Sequence, residues 1–131
     1  MSVSAAEPVV LTRDLARVGP VLAGVPVIVV GMLVDQYYVR GVPVTFFGRQ
    51  TNANPLLARL ARQVECPIHG VRVVRKPNHR FFVELTPEVP PVRDAQGKID
   101  VQGTMQAVTS VVESWIREHP EQWLWLHRRW R

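Results

Sequence analysis

The sequence predicts an α/β fold, and strands that alternate with amphipathic helices carry that prediction. Residues Val25–Val34 are uncharged and rich in β-branched side chains, which is typical of a strand buried on both faces in a parallel sheet. Val42–Phe47 combines β-branched and aromatic residues and predicts a second buried strand. Helical patterns follow over Pro55–Val64 and from Asp100 to about Glu118.

The chain begins with a weakly patterned region and then changes character at the end of the first predicted strand. Residues 1–24 contain at most a short helix over Thr12–Val18. Asp35-Gln36 introduces a carboxylate and an amide directly after Val34. Ligands of α/β proteins bind at the ends of buried strands, so these two polar side chains are candidate site residues.

The central stretch, Val42–Gln63, predicts a strand, a loop and a helix. Gly48 lets the backbone leave the strand, and Asn54-Pro55 caps and starts the helix. A helix N-terminus has unpaired N–H groups and a positive dipole end, so Arg49 beside it would form an anion site. The alternative is an ordinary strand-to-helix connection with a solvated Arg49.

A hairpin and a proline-rich loop are predicted next. Ile68–Arg75 and Arg80–Thr86 have strand character, with Lys76–His79 as the turn between them. Pro87–Lys98 contains several turn-forming residues and predicts an extended surface loop. We expect the helix capped by Asp100 to bury one stripe of its surface. That stripe consists of Met105, Val108, Val111, Val112, Trp115 and Ile116.

The C-terminal segment Pro120–Arg131 holds three of the four tryptophans together with three arginines. It predicts a short helix from Glu121 to about Arg128. Interleaved aromatic and cationic side chains suit a lipid headgroup boundary, or stacking on bases beside phosphates. The alternative is a tail locked onto the core by its tryptophans, with its arginines facing water.

Composition limits the classes of protein that remain. The 131 residues are 47% hydrophobic and 21% charged, which predicts one folded domain over 1–131. A net charge of +5 suggests anionic partners, although a basic surface also serves solubility. The single cysteine, Cys66, excludes an internal disulfide, and its apolar neighbours predict a buried thiol.

Several kinds of site and segment are not expected. The four histidines lack metal-ligand spacing, and no signal peptide or membrane-spanning helix is predicted. His79 is followed five residues later by Glu84, a spacing that can serve base catalysis. On an extended strand such side chains point to opposite faces about 16 Å apart, so we interpret this pair as accidental.

Several motifs together resemble the C-terminal half of the bacterial lipid A biosynthesis acyltransferases, which belong to the lysophospholipid acyltransferase superfamily. The resemblance covers about Val30–Arg131. It rests on Val30–Gln36, Phe46-Phe47-Gly48-Arg49, Cys66-Pro67-Ile68 before Arg72 and Arg75, Thr104–Ala107 and, above all, Pro120-Glu121-Gln122-Trp123-Leu124-Trp125-Leu126-His127-Arg128-Arg129-Trp130.

The resemblance implies an enzyme at the cytoplasmic face of the inner membrane. Such an enzyme moves a fatty acyl chain from acyl carrier protein to a hydroxyl of a phosphorylated lipid A precursor. It also implies a partial acyltransferase-type central sheet with flanking helices, a C-terminal helix and a tryptophan-rich tail. The expected partners are the carrier thioester, the precursor and the inner-membrane surface, with no cofactor and no nucleic acid.

The family's catalytic His, followed five residues on by Asp or Glu, should precede the Asp-Gln motif, but the first histidine here is His69. We therefore expect a truncated chain without a catalytic residue of its own and with negligible activity. Alternatively, the true gene start lies upstream. The competing class is a non-catalytic module that binds anionic lipid or RNA.

The retained half would supply the acceptor-binding side. Asp35 and Gln36 would orient active-site groups, and Arg49 would bind a phosphate or the oxyanion. Arg75, at the end of the strand Ile68–Arg75, would also belong to the acceptor-binding side. Arg128 and Arg129 would meet headgroup phosphates or the acidic carrier.

Overall fold

A computed structural model of the chain describes residues 30–130, and its architecture confirms the α/β class. Two strands come first, β1 (Val42–Phe46) and β2 (Arg49–Ala53), followed by helix α1 (Leu56–Val64). The strands β3 (His69–Lys76) and β4 (Arg80–Glu88) precede helix α2 (Val101–Glu118) and one 3-10 turn, Pro120–Gln122. Instead of one central sheet, the described strands form two two-stranded antiparallel sheets, β1–β2 and β3–β4.

The described residues fall into two compact units. The larger contains residues 32–70 and 86–130, and the smaller contains the distal part of the β3–β4 hairpin, 71–85, together with residues 30 and 31. The prediction of one domain over 1–131 stays a prediction. The suggested helix at Thr12–Val18 lies outside the described residues.

A β1–β2 hairpin replaces the predicted loop between the strand and the helix, because residues Arg49–Ala53 form a second strand. Val42 pairs with Ala53 and Phe46 pairs with Arg49, so only Phe47-Gly48 form the turn. Both turn residues have positive φ, 51° and 71°, which matches the right-handed twist of a tight hairpin. Gly48 therefore reverses the chain rather than leading it toward a helix.

Helix α1 starts as predicted, and only part of its apolar face is buried. The Asn54 side chain accepts a hydrogen bond from the Leu56 N–H at 3.0 Å, which satisfies one free donor of the first turn. Ala58 and Ala61 face the core, whereas the apolar side chains of Leu56 and Val64 are more than half exposed. Small side chains on the buried face allow α1 to pack closely on its neighbours.

The β3–β4 hairpin is confirmed, with a turn at residues 77–79. Asn78 and His79 both have positive φ, a conformation that asparagine tolerates better than most residues. Within the smaller unit, the Arg72 guanidinium donates to the Glu84 carboxylate across the two strands. Glu84 therefore has a cross-strand arginine partner.

Helix α2 is the main support of the larger unit. The Asp100 carboxylate accepts a hydrogen bond from the Gly103 N–H at 2.6 Å, as the capping prediction requires. Most of the predicted stripe is buried, and Thr104 and Thr109 join it. One core cluster lies where α2 meets α1 and the β1–β2 hairpin, and Gln106 exchanges two hydrogen bonds with the backbone of Thr45.

Three expectations are wrong. Residues 30–34, the described part of the predicted strand Val25–Val34, form no strand, and the Leu33 side chain is 82% exposed. A buried strand needs partners, and none of the described strands pairs with residues 30–34; residues 25–29 lie outside the described part of the chain. The tail helix shrinks to Pro120–Gln122. Cys66, predicted to be buried, is exposed, directly after the left-handed residue Glu65 that ends α1.

Replacing Asp100 tests whether its side chain stabilises the start of helix α2. Asp100→Ala should lower the free energy of unfolding by about 1 kcal/mol, since the Gly103 N–H loses its acceptor. Asp100→Asn should retain most of the stability because the amide oxygen is also a good cap. Urea denaturation measures both, with Gln102→Ala on the exposed face as the control. Equal stability of Asp100→Ala and the wild type would contradict the assignment.

Candidate functional site

Residues 35–37 and the C-terminal segment are far apart in sequence, but they meet in the larger unit. We call Trp123–Trp130 the C-terminal clamp. The Trp123 indole N–H donates to Asp35 Oδ2 at 3.2 Å, and the Tyr37 N–H donates to His127 Nε2 at 3.1 Å. The segment is therefore held at two points, and the exposed Gln36 lies between them. Nothing in the local sequence pattern around Asp35 signals these two contacts.

Arg129 is the most deeply buried residue of the clamp, with 1% exposure. Its Nη1 donates to Thr51 Oγ1 at 3.0 Å and to the carbonyl of Asn52 at 2.8 Å. The guanidinium also lies 5.1 Å from the centre of the Phe46 ring. This placement corrects the expectation that Arg129 meets headgroup phosphates, because its charged group is enclosed and already bonded to β2.

Burial and the charge of Asp35 shift the pKa of Arg129 in opposite directions. Removal from water lowers the pKa of its guanidinium from the ordinary value, and the nearby Asp35 carboxylate partly offsets that effect. The Nε of Arg129 is buried without a hydrogen-bond partner in the described part of the molecule. Arg129 and Trp123 thus place one positive group and one N–H donor near Asp35.

Aromatic rings fill the space between the clamp and the β1–β2 hairpin. Phe46 is fully buried, with Trp130 stacked at 5.4 Å and Trp123 edge-on at 5.6 Å between ring centroids. The Trp130 indole N–H donates to the Phe46 carbonyl at 3.1 Å. The alternative that tryptophans lock the tail onto the core is therefore correct for Trp123 and Trp130, whereas Trp125 is 51% exposed.

Arg49 occupies a different place from the one predicted. It begins β2 opposite Phe46 and is separated from the start of α1 by the length of that strand. Its guanidinium lies 5.5 Å from the centre of the Trp130 ring, a cation–π distance, and the side chain is exposed. Arg49 thus lies beside the clamp rather than beside a helix N-terminus.

The remaining predicted cations are exposed. Arg128 lies in the clamp, next to the buried Arg129. Arg75 lies on β3 in the smaller unit. The structure therefore brings together Asp35, Gln36, Arg49 and the clamp arginines within the larger unit, and Arg75 belongs to the other unit.

Glu113 is a residue that the sequence interpretation missed. Its carboxylate accepts a hydrogen bond from the Phe47 N–H at 2.8 Å and another from Arg117 at 2.6 Å. The Phe47 N–H, followed by Arg117, holds the pKa of Glu113 below its ordinary value of 4.5. Glu113 therefore fastens the β1–β2 turn to α2. Its position on α2, four residues before Arg117, was the available signal.

Among residues 30–130, no group of three His, Cys, Asp or Glu side chains could hold a metal ion. No helix within that range has the length and apolar composition that crossing a membrane requires.

The two neighbouring clamp arginines should differ sharply in their effect on stability. We expect Arg129→Ala to lower the free energy of unfolding by about 2–3 kcal/mol, because the buried Thr51 hydroxyl and Asn52 carbonyl lose their donor. Arg128→Ala should change it by less than about 0.5 kcal/mol, since that side chain is exposed. Chemical denaturation of both variants makes the comparison, and equal effects would show that Arg129 is not a structural cation.

The Glu113 contact predicts a pH effect on folding. A carboxyl group with a lowered folded-state pKa contributes stability above its unfolded-state pKa and loses it as the pH falls through the folded-state value. The wild type should therefore lose stability below about pH 4.5 faster than Glu113→Gln, which has no charge to titrate. Denaturation at a series of pH values measures the difference, and parallel curves would contradict it.

Comparison with known proteins assigns the family. A family model described as bacterial lipid A biosynthesis acyltransferase matches residues 27–131, which are most of the chain. No curated protein matches the sequence. The matched segment includes Asp35, Arg49 and the whole C-terminal clamp. The chain therefore belongs to the bacterial lipid A biosynthesis acyltransferase family, whose members are membrane-associated acyl-transfer enzymes.

Proposed function

We propose that this chain forms the acceptor-holding part of an acyltransferase. The reaction moves a fatty acyl group from the thioester of acyl carrier protein to a hydroxyl of a phosphorylated lipid A precursor. Family membership supports acyl transfer in lipid A biosynthesis. The observation that carries the proposal is the 3.2 Å hydrogen bond from Trp123 to Asp35, because it joins the two most distinctive motifs, Asp-Gln and the clamp.

We assign the exposed and half-buried site residues to contacts with the acceptor and the buried one to support of the fold. Asp35, held by Trp123, and the exposed Gln36 orient polar groups of the acceptor. Arg49 neutralises a phosphate or the developing oxyanion, since its exposed guanidinium can act while its flat face rests near Trp130. Arg128 provides further exposed positive charge for phosphates or for the acidic carrier within the larger unit, and Arg75 is a separate candidate for such contacts in the smaller unit. Arg129 acts as a positioning residue that fixes the clamp on β2.

Proton removal is the step for which this chain supplies no group. Attack of a hydroxyl on a thioester needs a base, and donors that stabilise the tetrahedral oxyanion, each worth orders of magnitude in rate. The single His with an acidic residue five positions later is His79, whose partner would be Glu84. Glu84 is instead engaged by Arg72, so the pair does not serve as the base. By itself the chain transfers acyl groups at a negligible rate.

The exposed end of the clamp contacts the cytoplasmic face of the inner membrane. Leu124, Trp125 and Leu126 are 66%, 51% and 89% exposed, and Arg128 follows them. Aliphatic and tryptophan side chains next to a cation suit the boundary between acyl chains and anionic headgroups. Contact of this kind is peripheral.

The same exposed surface also supports a second candidate, a non-catalytic module that binds anionic lipid or, less favoured, RNA. Three adjacent exposed apolar side chains next to a cation fit a bilayer better than a phosphate backbone, because RNA binding by charge alone would not use the aliphatic groups.

Activity and binding assays on the purified chain test the proposal. With labelled acyl carrier protein and a phosphorylated lipid A precursor, we expect precursor binding without measurable acyl transfer. Arg49→Ala should weaken precursor binding about tenfold, because one charge-assisted hydrogen bond to phosphate is lost. Lys98→Ala, which removes an exposed charge from the loop before α2, is the control and should bind as the wild type does.

Measurable acyl transfer would show that the chain does contain a base. Unchanged affinity of Arg49→Ala for the precursor would contradict the assignment of Arg49 to phosphate binding. A salt series with vesicles and with RNA separates the alternatives. RNA binding driven by phosphate contacts falls steeply with salt, whereas membrane binding through apolar side chains persists.

A further inference from the structure

An open cleft in the larger unit lies where the β1–β2 hairpin leads into α1. Its volume is about 310 Å³, which reaches the lower end of the range of about 300–1,000 Å³ typical of small-ligand sites. The lining residues are Tyr38, Arg40, Asn54, Pro55, Leu56 and Arg59. Within residues 30–130, none of these residues forms a hydrogen bond with the C-terminal clamp, and Arg49 does not line the cleft.

Two arginines line this cleft without an acidic partner. Neither Arg40 nor Arg59 forms an ion pair or a side-chain hydrogen bond with another residue of the described range 30–130. Other arginines of that range are engaged by carboxylates or carbonyls: Arg62 by Asp94 and the Ile99 carbonyl, Arg72 by Glu84, Arg93 by Glu65, and Arg117 by Glu113. The cleft contains no acidic side chain, so its field is positive.

Neutral donors complete the lining. The Asn54 side-chain oxygen is used by the Leu56 N–H, which leaves the two N–H donors of its amide for a ligand. The Tyr38 hydroxyl can also donate. The first turn of α1 carries no acidic residue that would repel an anion. Both charged side chains of the lining and both of its neutral polar side chains therefore present donors.

We infer that this cleft binds a phosphate monoester, with Arg40 and Arg59 as its two cationic ligands. Guanidinium groups match phosphate in geometry because each donates two parallel N–H bonds to two oxygens. A monoester near neutral pH carries close to two negative charges, which two unpaired arginines neutralise. The inference rests on the proposed function, which identifies the ligand as a phosphorylated lipid headgroup. It deepens that function by assigning the phosphate to a site separate from Arg49.

The test measures phosphate binding by the whole chain and by charge variants. The cleft variants are Arg40→Gln, Arg59→Gln and the double substitution. The matched control is the double variant Arg80→Gln with Lys98→Gln, which removes two exposed charges outside the cleft. The probes are inorganic phosphate, vesicles of phosphatidylcholine with phosphatidic acid, and vesicles with phosphatidylglycerol instead, which carries a phosphodiester.

We expect each single cleft variant to weaken binding of phosphatidic acid vesicles about tenfold, and the double variant to weaken it further. The control should lose little, and both the wild type and the control should prefer the monoester over the diester. Arg40→Lys with Arg59→Lys should recover part of the affinity, since the charge returns without the paired donors. Because the substituted side chains are exposed, thermal unfolding should match the wild type.

The two sources of phosphate are distinguished by the probes. Binding of inorganic phosphate that is lost in the double variant shows recognition of the phosphate group itself. If only the binding of phosphatidic acid vesicles is lost in that variant, the lipid is required; both results support the site. Equal behaviour of the cleft double variant and the control would overturn the inference. If Arg49→Ala then still weakens precursor binding, the proposed function stands without this cleft. If the wild type binds no phosphate monoester at all, both fail.

Discussion

The contact on which the larger unit depends is the burial of the Arg129 guanidinium against β2. Removing a cation from water costs several kcal/mol, so it stays buried only where acceptors and an aromatic face replace the lost hydration. The Thr51 hydroxyl, the Asn52 carbonyl and the Phe46 ring provide that replacement. Although the Nε of Arg129 has no hydrogen-bond partner in the described part of the molecule, these contacts hold the guanidinium in place and set where the rest of the C-terminal clamp lies.

The register of the clamp explains its other contacts. With Arg129 fixed, Trp130 stacks on Phe46, and Trp123 reaches Asp35. The hairpin that receives the clamp is itself fastened to α2, because Glu113 accepts the hydrogen bond of its turn. Aromatic packing adds apolar burial to these polar contacts. The hairpin, the clamp and α2 therefore support one another within one compact unit.

This arrangement separates cations that support the fold from cations available to a ligand. Arg129 is enclosed, whereas Arg49 rests one face near Trp130 and remains exposed on the other. Arg40 and Arg59 line a cleft that holds no carboxylate. An acceptor-holding surface needs exposed cations on a rigid support, since a preorganised cation loses little entropy when it binds phosphate. The buried cation, Arg129, contributes to that rigid support.

The sequence alone determined the features that depend on neighbouring residues: the Asp100 cap and length of α2, the turn of the β3–β4 hairpin and the motifs that identify the family. Caps and turns are encoded by a few adjacent side chains, so they can be predicted locally. Only the tertiary structure decided that Arg128 is exposed and Arg129 buried, because two adjacent arginines have the same chemistry. It also turned the polar segment Arg49–Ala53 into a strand, since pairing depends on the partner across the sheet.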